Sequence, residues 1–226
     1  MKYLSVLFLL FVFCLTSCGT VPFETGLLPK KFTVSLKSRQ VPLGDIETQI
    51  KNTFPKTGLA KKDVKVIYFP EEDAVCLSYK TIQSYYCFLD REARELFITA
   101  LNKYSQEYEE RSITDNKRKT TSAYGRTGVF LIWQQFSFSK QYGMNTDITY
   151  GYLFYNNSPY FALTQKNVSY IDTDNGSREE FKSYEIVMHF TRAQAQELEA
   201  LLDEELLRSH AVERIIRNGA AEADVW

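Results

Sequence analysis

Residues 32–226 are predicted to form an α+β domain, a mostly antiparallel sheet with two main helices packed on one face. Three observations carry that expectation. The chain holds 15 Tyr and 16 Phe among 226 residues, and aromatic side chains favour strands and half-buried sheet surfaces. Short alternating apolar runs recur between turn signals. Two longer stretches show helical spacing, each behind a residue suited to capping a helix N-terminus.

The elements follow in order. Phe32–Leu36 alternates and reads as a strand. Pro42-Leu-Gly-Asp45 opens a short helix with Ile46, Gln49, Ile50, Thr53 and Phe54 on one face, ended by Pro55 and Gly58. Val64–Phe69 is a strand stopped by Pro70-Glu71-Glu72-Asp73. Val75–Tyr79 and Ser84–Leu89 form a hairpin. Asp90 caps a helix from Arg91 to about Glu110, with Leu96, Phe97, Ala100, Leu101 and Tyr104 at helical spacing. Residues 111–126 form a polar loop carrying the basic run Lys117-Arg118-Lys119, read as solvated. Val129–Trp133 is a strand that continues through Phe136 and Phe138. Ile148–Tyr155 and Tyr160–Gln165 follow, joined by Asn156-Asn-Ser-Pro159. Val168–Ile171 leads into the turn Asp172–Gly176. Tyr184–Phe190 is the last strand. Thr191 caps a final helix with Ala195, Leu198, Leu201, Leu202 and Leu206 inside, and a further turn starts near Ser209 and ends at Gly219. Strand, cap and helix occur in both halves, which suggests a pseudo-repeat of two sheet-then-helix halves.

Cys76 and Cys87 lie in the first hairpin. A two-residue turn on Thr81-Ile82 would pair Cys76 with Cys87, at a Cβ separation of about 4.5–5.5 Å. A disulfide prefers about 3.8 Å, and Thr-Ile is a poor two-residue turn. The pair either bridges or stays as two buried thiols; a metal pair or a reactive thiol is a third reading.

The N-terminus carries a separate signal. Lys2 and the amino terminus precede an apolar run from Tyr3 to Thr16, too short for a bilayer of about 30 Å and suited to a cleaved secretory leader. It closes on Leu15-Thr16-Ser17-Cys18-Gly19. This junction resembles the lipobox of bacterial lipoproteins, a resemblance confined to residues 1–19. It implies that residues 1–17 are removed and that Cys18 carries the lipid, a thioether-linked diacylglycerol and usually an N-acyl chain. Two or more chains, at about 0.8 kcal/mol per buried methylene, anchor a domain firmly. Gly19 in place of Asp weakly favours the outer membrane over the inner. Residues 18–31, with Pro22, Gly26 and Pro29, then read as the lipidated N-terminus and tether of a single domain.

Charge narrows the partners. There are 27 basic and 28 acidic residues, and removing the leader takes away Lys2 alone, leaving 26 against 28 and a charge near −2. A nucleic-acid binder would usually show a basic excess. Asp172-Thr-Asp174-Asn-Gly176 lacks the spacing of a calcium loop, whose closing position is occupied by Lys182. His189 and His210 have no companion at ligand spacing. Nucleophile elbows and phosphate loops are absent. No catalytic, metal or cofactor residue is therefore assigned. Tyr150, Tyr152 and Phe154 share one strand face and are the candidate aromatic binding face, with core packing as the plainer reading. The resulting expectation is a membrane-anchored envelope lipoprotein with a non-enzymatic binding domain for an envelope protein or a glycan. The alternative is an anchored hydrolase or a small-ligand or lipid carrier.

Overall fold

The sheet closes on itself. In the computed structural model, eight strands form one antiparallel barrel in the cyclic order β1-β10-β7-β6-β5-β4-β3-β2. Residues 34–52, 59–114, 120–134, 141–172 and 178–210 are described, all within the compact unit Lys31–Trp226. The strands are β1 (Val41–Asn52), β2 (Ala60–Phe69), β3 (Ala74–Lys80), β4 (Ser84–Leu89), β5 (Gly125–Gln134), β6 (Gln141–Tyr155), β7 (Ser158–Gln165), β8 (Ser169–Asp172), β9 (Glu179–Lys182) and β10 (Ile186–Phe190). The helices are α1 (Arg91–Glu109) and α2 (Arg192–Leu201). Residues 204–210 are also helical.

This overturns the expected α+β sheet with helices on one face. A closed barrel has an inside, and one continuous core fills it. Inward side chains alternate along every barrel strand: Ile46 and Ile50, Val64 and Val66, Leu77 and Tyr79, Tyr85 and Cys87, Leu131 and Trp133, Ile148 and Tyr150, Phe161 and Leu163, Ile186 and Met188. The pseudo-repeat is also lost. The strands run as one up-and-down meander, with β8–β9 inserted as a separate two-stranded sheet between β7 and β10.

Closure depends on β1, the segment expected to be helical. Ile46 and Ile50 sit four apart, a spacing that suits a helix face and one face of a strand equally well. Pairing decides between them. β1 bonds antiparallel to β2 along Val41–Ile50, with a bulge between Pro42 and Gly44. Its other edge pairs with β10, Ile50 opposite Met188. With both of its edges paired, β1 closes the barrel, and closure removes the edge strands an open sheet would leave there. The expected strand at 32–36 does not form over 34–36, which are turn and coil; Val34 instead covers an outer apolar cluster with Phe69, Cys76, Phe88 and Ile132.

The first helix forms where the sequence predicts it, and the final one starts at its expected cap, Thr191, but ends at Leu201, so that Leu206 falls in the separate helical segment at 204–210; both sit at one end of the barrel. α1 begins where Asp90 accepts from the Ala93 amide at 2.9 Å, and α2 begins with a capping box of Thr191 and Gln194. Phe97 of α1 packs edge-on against Tyr150 and Phe161 at 5.8 and 5.6 Å. Tyr104 donates to the Pro159 carbonyl at 3.0 Å. Ala195, Leu198, Leu202 and Leu207 join the same core. Among the described residues no helix is long and apolar enough to cross a membrane.

The hairpin carrying the two cysteines turns through three residues, because Lys80 pairs with Ser84. That shifts the register by one, and a shift of one sends a side chain to the opposite face. Leu77, not Cys76, faces Cys87. Cys87 points into the barrel core, whereas Cys76 joins the outer cluster. Both are free and buried, on opposite faces of the wall, so of the readings left open the structure has two buried thiols and no bridge. Burial pushes both thiols up, Cys87 to about 12. Such thiols stay protonated and act as small apolar side chains.

Candidate functional site

The end of the barrel opposite the helices holds a second group of aromatic side chains, with polar ones beside them. β6 overshoots there: Gln141 to Asp147 pair with β5, but the β7 ladder starts only at Ile148. The overshoot leaves a mouth between β6 and the rest of the wall. The β8–β9 hairpin lies across it. Phe181 of β9 stacks on Tyr142 of β6, rings 4.3 Å apart and 16° from parallel. Tyr170 of β8 packs on the same ring at 5.4 Å. Beneath them Tyr142 meets Trp133 at 5.8 Å. Trp133 is fully buried, and its indole nitrogen has no acceptor among the described residues.

A polar network anchors the strand-proximal ends of the hairpin. Tyr79 donates to Gln165 Oε1 and stacks on Tyr85 at 5.2 Å. The Tyr85 hydroxyl donates to Gln83 Oε1 at 2.7 Å and accepts from the Tyr184 amide at 3.2 Å. Gln83 donates to the Lys182 carbonyl at 3.1 Å, and Gln165 to the Tyr184 carbonyl at 3.3 Å. The Val168 amide donates to Ser183 Oγ at 2.9 Å. Burial raises the Tyr79 and Tyr85 hydroxyls well above their ordinary range, so both remain neutral donors. A buried amide with its partners satisfied is stable, and one stripped of them is costly. The network therefore fixes where the hairpin leaves and rejoins the barrel, while Phe181 and Tyr170 bring its inner face onto the Tyr142 ring.

The residues singled out in the sequence lie elsewhere. Tyr150 and Tyr152 are core, at 1% and 8% exposure. The Tyr150 hydroxyl donates to the Ala93 carbonyl at 3.2 Å, and that of Tyr152 to the Thr114 carbonyl at 3.3 Å. Phe154 packs edge-on against Tyr152. Tyr150 lies under α1, and the row packs into or against the core because alternation in a barrel aims it inward. Cys18, the tether, the basic run 117–119, Phe136, Phe138 and residues 173–177 lie outside the described residues. Among the described residues no three His, Cys, Asp or Glu side chains converge as a metal site requires. Sequence reasoning misses the mouth because Tyr142 stands outside every expected strand and β9 is not anticipated. One signal is present: Tyr142, Met144, Thr146 and Ile148 alternate directly into Tyr150.

His189 is packed on the outer wall, with both ring nitrogens unpartnered among the described residues. Burial, helped by Lys51, pushes its pKa down from 6.5 to about 4. The folded state thus resists a proton that the unfolded chain takes up below pH 6.5. Stability is complete above that pH and falls as pH drops toward 4, by roughly 1.4 kcal/mol for each pH step of one between those two values. Denaturant titrations at pH 7 and pH 4.5 should show wild type losing more stability than His189→Gln over that interval. Equal losses would mean that the ring is protonated in the fold.

No curated protein and no solved structure matches the chain. A family model described as "Uncharacterised Treponema protein" matches residues 40–209, which spans β1 through almost all of the helical segment at 204–210. On that match, the chain belongs to the uncharacterised Treponema protein family.

Proposed function

We propose that this chain is a lipid-anchored envelope protein whose barrel is a non-enzymatic binding module, engaging its ligand at the hairpin end. One observation carries the binding part of this reading: the aromatic mouth, where Trp133, Tyr142, Tyr170 and Phe181 are concentrated against a hairpin that shares no ladder with the barrel. Large aromatic groups with a polar handle are what small-molecule and partner sites are usually lined with. Deeper down, the lumen is occupied by the protein's own side chains, including Tyr85, Tyr150, Phe161 and Leu163 at 0–1% exposure. A carrier of a whole acyl chain would need that volume empty. Eight-stranded barrels are wide enough either to be filled by side chains or to hold one small ligand, and a filled lumen favours recognition at the rim. The fold by itself says nothing of chemistry.

The anchor rests on Leu15-Thr16-Ser17-Cys18. Its test is mass spectrometry of the N-terminal peptide from membranes, with Cys18→Ala beside it. The expected result is a peptide that begins at a diacylglyceryl-modified Cys18, and release of the Cys18→Ala variant from the lipid-modified pool. A wild-type peptide starting at Met1, or a cleaved and unmodified one, would overturn the anchor. Protease shaving of intact cells then tells whether the barrel faces the periplasm or the exterior.

A further inference from the structure

We infer that the mouth is a closed binding site for a neutral, planar apolar molecule bearing one hydrogen-bond acceptor, and that Phe181 occupies it when no ligand is bound. This rests on the binding-module reading and names its ligand class.

Four observations converge. The first is geometry. The Phe181 ring lies nearly parallel to Tyr142 at 4.3 Å, so a ring that takes its place inherits a flat stacking partner, with Trp133 and Tyr170 around the same tyrosine. Aromatic stacking of this kind contributes beyond area alone. The second is an unused donor. The Trp133 indole nitrogen is buried in the same cluster without an acceptor among the described residues. A buried donor left unpaired costs free energy that a ligand oxygen would restore. The third is charge. The rings of Trp133, Tyr142, Tyr170 and Phe181 carry no charge at neutral pH; Asp172, a buried carboxylate on the same face of β8 as Tyr170, is already engaged within the protein, and Lys182 and Glu180 pair with each other on the outside at 3.0 Å. A charged ligand would be desolvated there without compensation; a neutral one would not.

The fourth is the hairpin itself. β8 and β9 pair only with each other over Ser169–Asp172 and Glu179–Lys182. An isolated two-stranded hairpin is marginal in water. Its ends are tied through Gln83, Gln165 and Tyr85, but Phe181 and Tyr170 face the mouth through ring contacts. Phe181 can therefore leave Tyr142 without breaking the hydrogen bonds made through Gln83, Gln165 and Tyr85. Wild-type affinity is reduced by the competition of this ring with the ligand, and removing the ring removes that competition.

The test uses 9-fluorenone, a planar aryl ketone, and fluorene, the same rings without the carbonyl. The protein is the full mature chain in detergent with Trp226→Phe, so that Trp133 is the one tryptophan reporting. Fluorenone should quench Trp133 saturably, and fluorene should bind at least tenfold more weakly. Phe181→Ala should tighten fluorenone at least tenfold, and Phe181→Leu by less. In Trp133→Phe, followed by equilibrium dialysis, the preference for fluorenone over fluorene should vanish. Thermal melts of each variant show that it is folded. Absence of saturable binding in folded wild type and in folded Phe181→Ala would overturn the site, as would equal affinity for the two compounds. These outcomes are independent of lipid at Cys18. Loss of the anchor with fluorenone binding intact would sink the envelope reading alone. Failure of fluorenone binding with the protein still cross-linking to an envelope component would leave the binding-module reading and remove this ligand class.

Discussion

Arg94→Ala is expected to cost about 3–5 kcal/mol, the range for removing one partner of a buried ion pair. Arg94 lies in the first turn of α1 with its side chain fully buried, beside carboxylates of Asp73 and Glu204 that are 51% and 27% exposed. Its Nη2 donates to Asp73 Oδ1 at 2.9 Å and to Glu204 Oε1 at 2.8 Å. Nε reaches the same Glu204 oxygen at 3.1 Å, and Nη1 donates to the Asp73 carbonyl at 2.7 Å. One guanidinium thus ties three pieces of chain: the β2–β3 turn, α1, and the helical segment at 204–210. The turn needs the tie, because Asp73 sits at φ 47°, a left-handed conformation unfavourable for a side-chain-bearing residue. Solvent access of both carboxylates softens the penalty of leaving them unpaired, so the lower half of the range is expected. Arg94→Lys keeps the charge but loses the planar fork, and should fall between wild type and Ala. Urea unfolding reads the difference as a midpoint shift at unchanged slope. A loss below about 1 kcal/mol for Ala would mean that the cluster contributes no more than a surface pair.

Gly151→Ala should cost about 3 kcal/mol or more, the top of the range for overpacking. Gly151 faces outward from β6, and a Cβ there would lie 1.9 Å from the Thr120 carbonyl oxygen and 2.6 Å from the Thr121 carbonyl carbon. Those atoms are backbone and cannot rotate away. They are pinned to β6 by the Tyr152 amide donating to Thr120 O at 3.1 Å and the Tyr124 amide donating to Tyr150 O at 2.9 Å. The segment must detach or the strand must bend. Gly143→Ala is the internal comparison. Its Cβ would meet Phe130 Cζ at 2.8 Å, the far end of a side chain that can swing, so about 1 kcal/mol is expected. Thermal melts of the two variants should separate clearly. Equal melting temperatures would show that the 120–124 segment yields as readily as a ring.

Local elements are legible in the chain where their signals are local. α1 is readable because its start is such an event: Asp90 caps it, and Phe97, Leu101 and Tyr104 repeat at the helix period, which no partner strand has to ratify. The β3–β4 hairpin is legible as a hairpin but not in its register, since Thr81, Ile82 and Gln83 carry no strong turn signature and one residue more or less decides which face each cysteine takes. Even in β1 the apolar positions stand out. What Ile46 and Ile50 cannot say is which of two periods they belong to. The mouth shows the same division. Tyr142 and Phe181 are far apart in sequence, and nothing local to either one announces the other.

The sequence by itself determined the aromatic-rich antiparallel character, the two capped helices, the near-neutral charge and the N-terminal junction at Cys18, because each rests on composition or on neighbours within a few residues. Only the tertiary structure decided that the sheet closes, that the helices seal one end, and that the hairpin covers the other. The reason is physical. Closure is set by the ladder joining β1 to β10, Gln49 to Asn52 against Ile186 to His189, and a pairing so distant in the chain is chosen by satisfying every strand at once, not by the preference of any one segment.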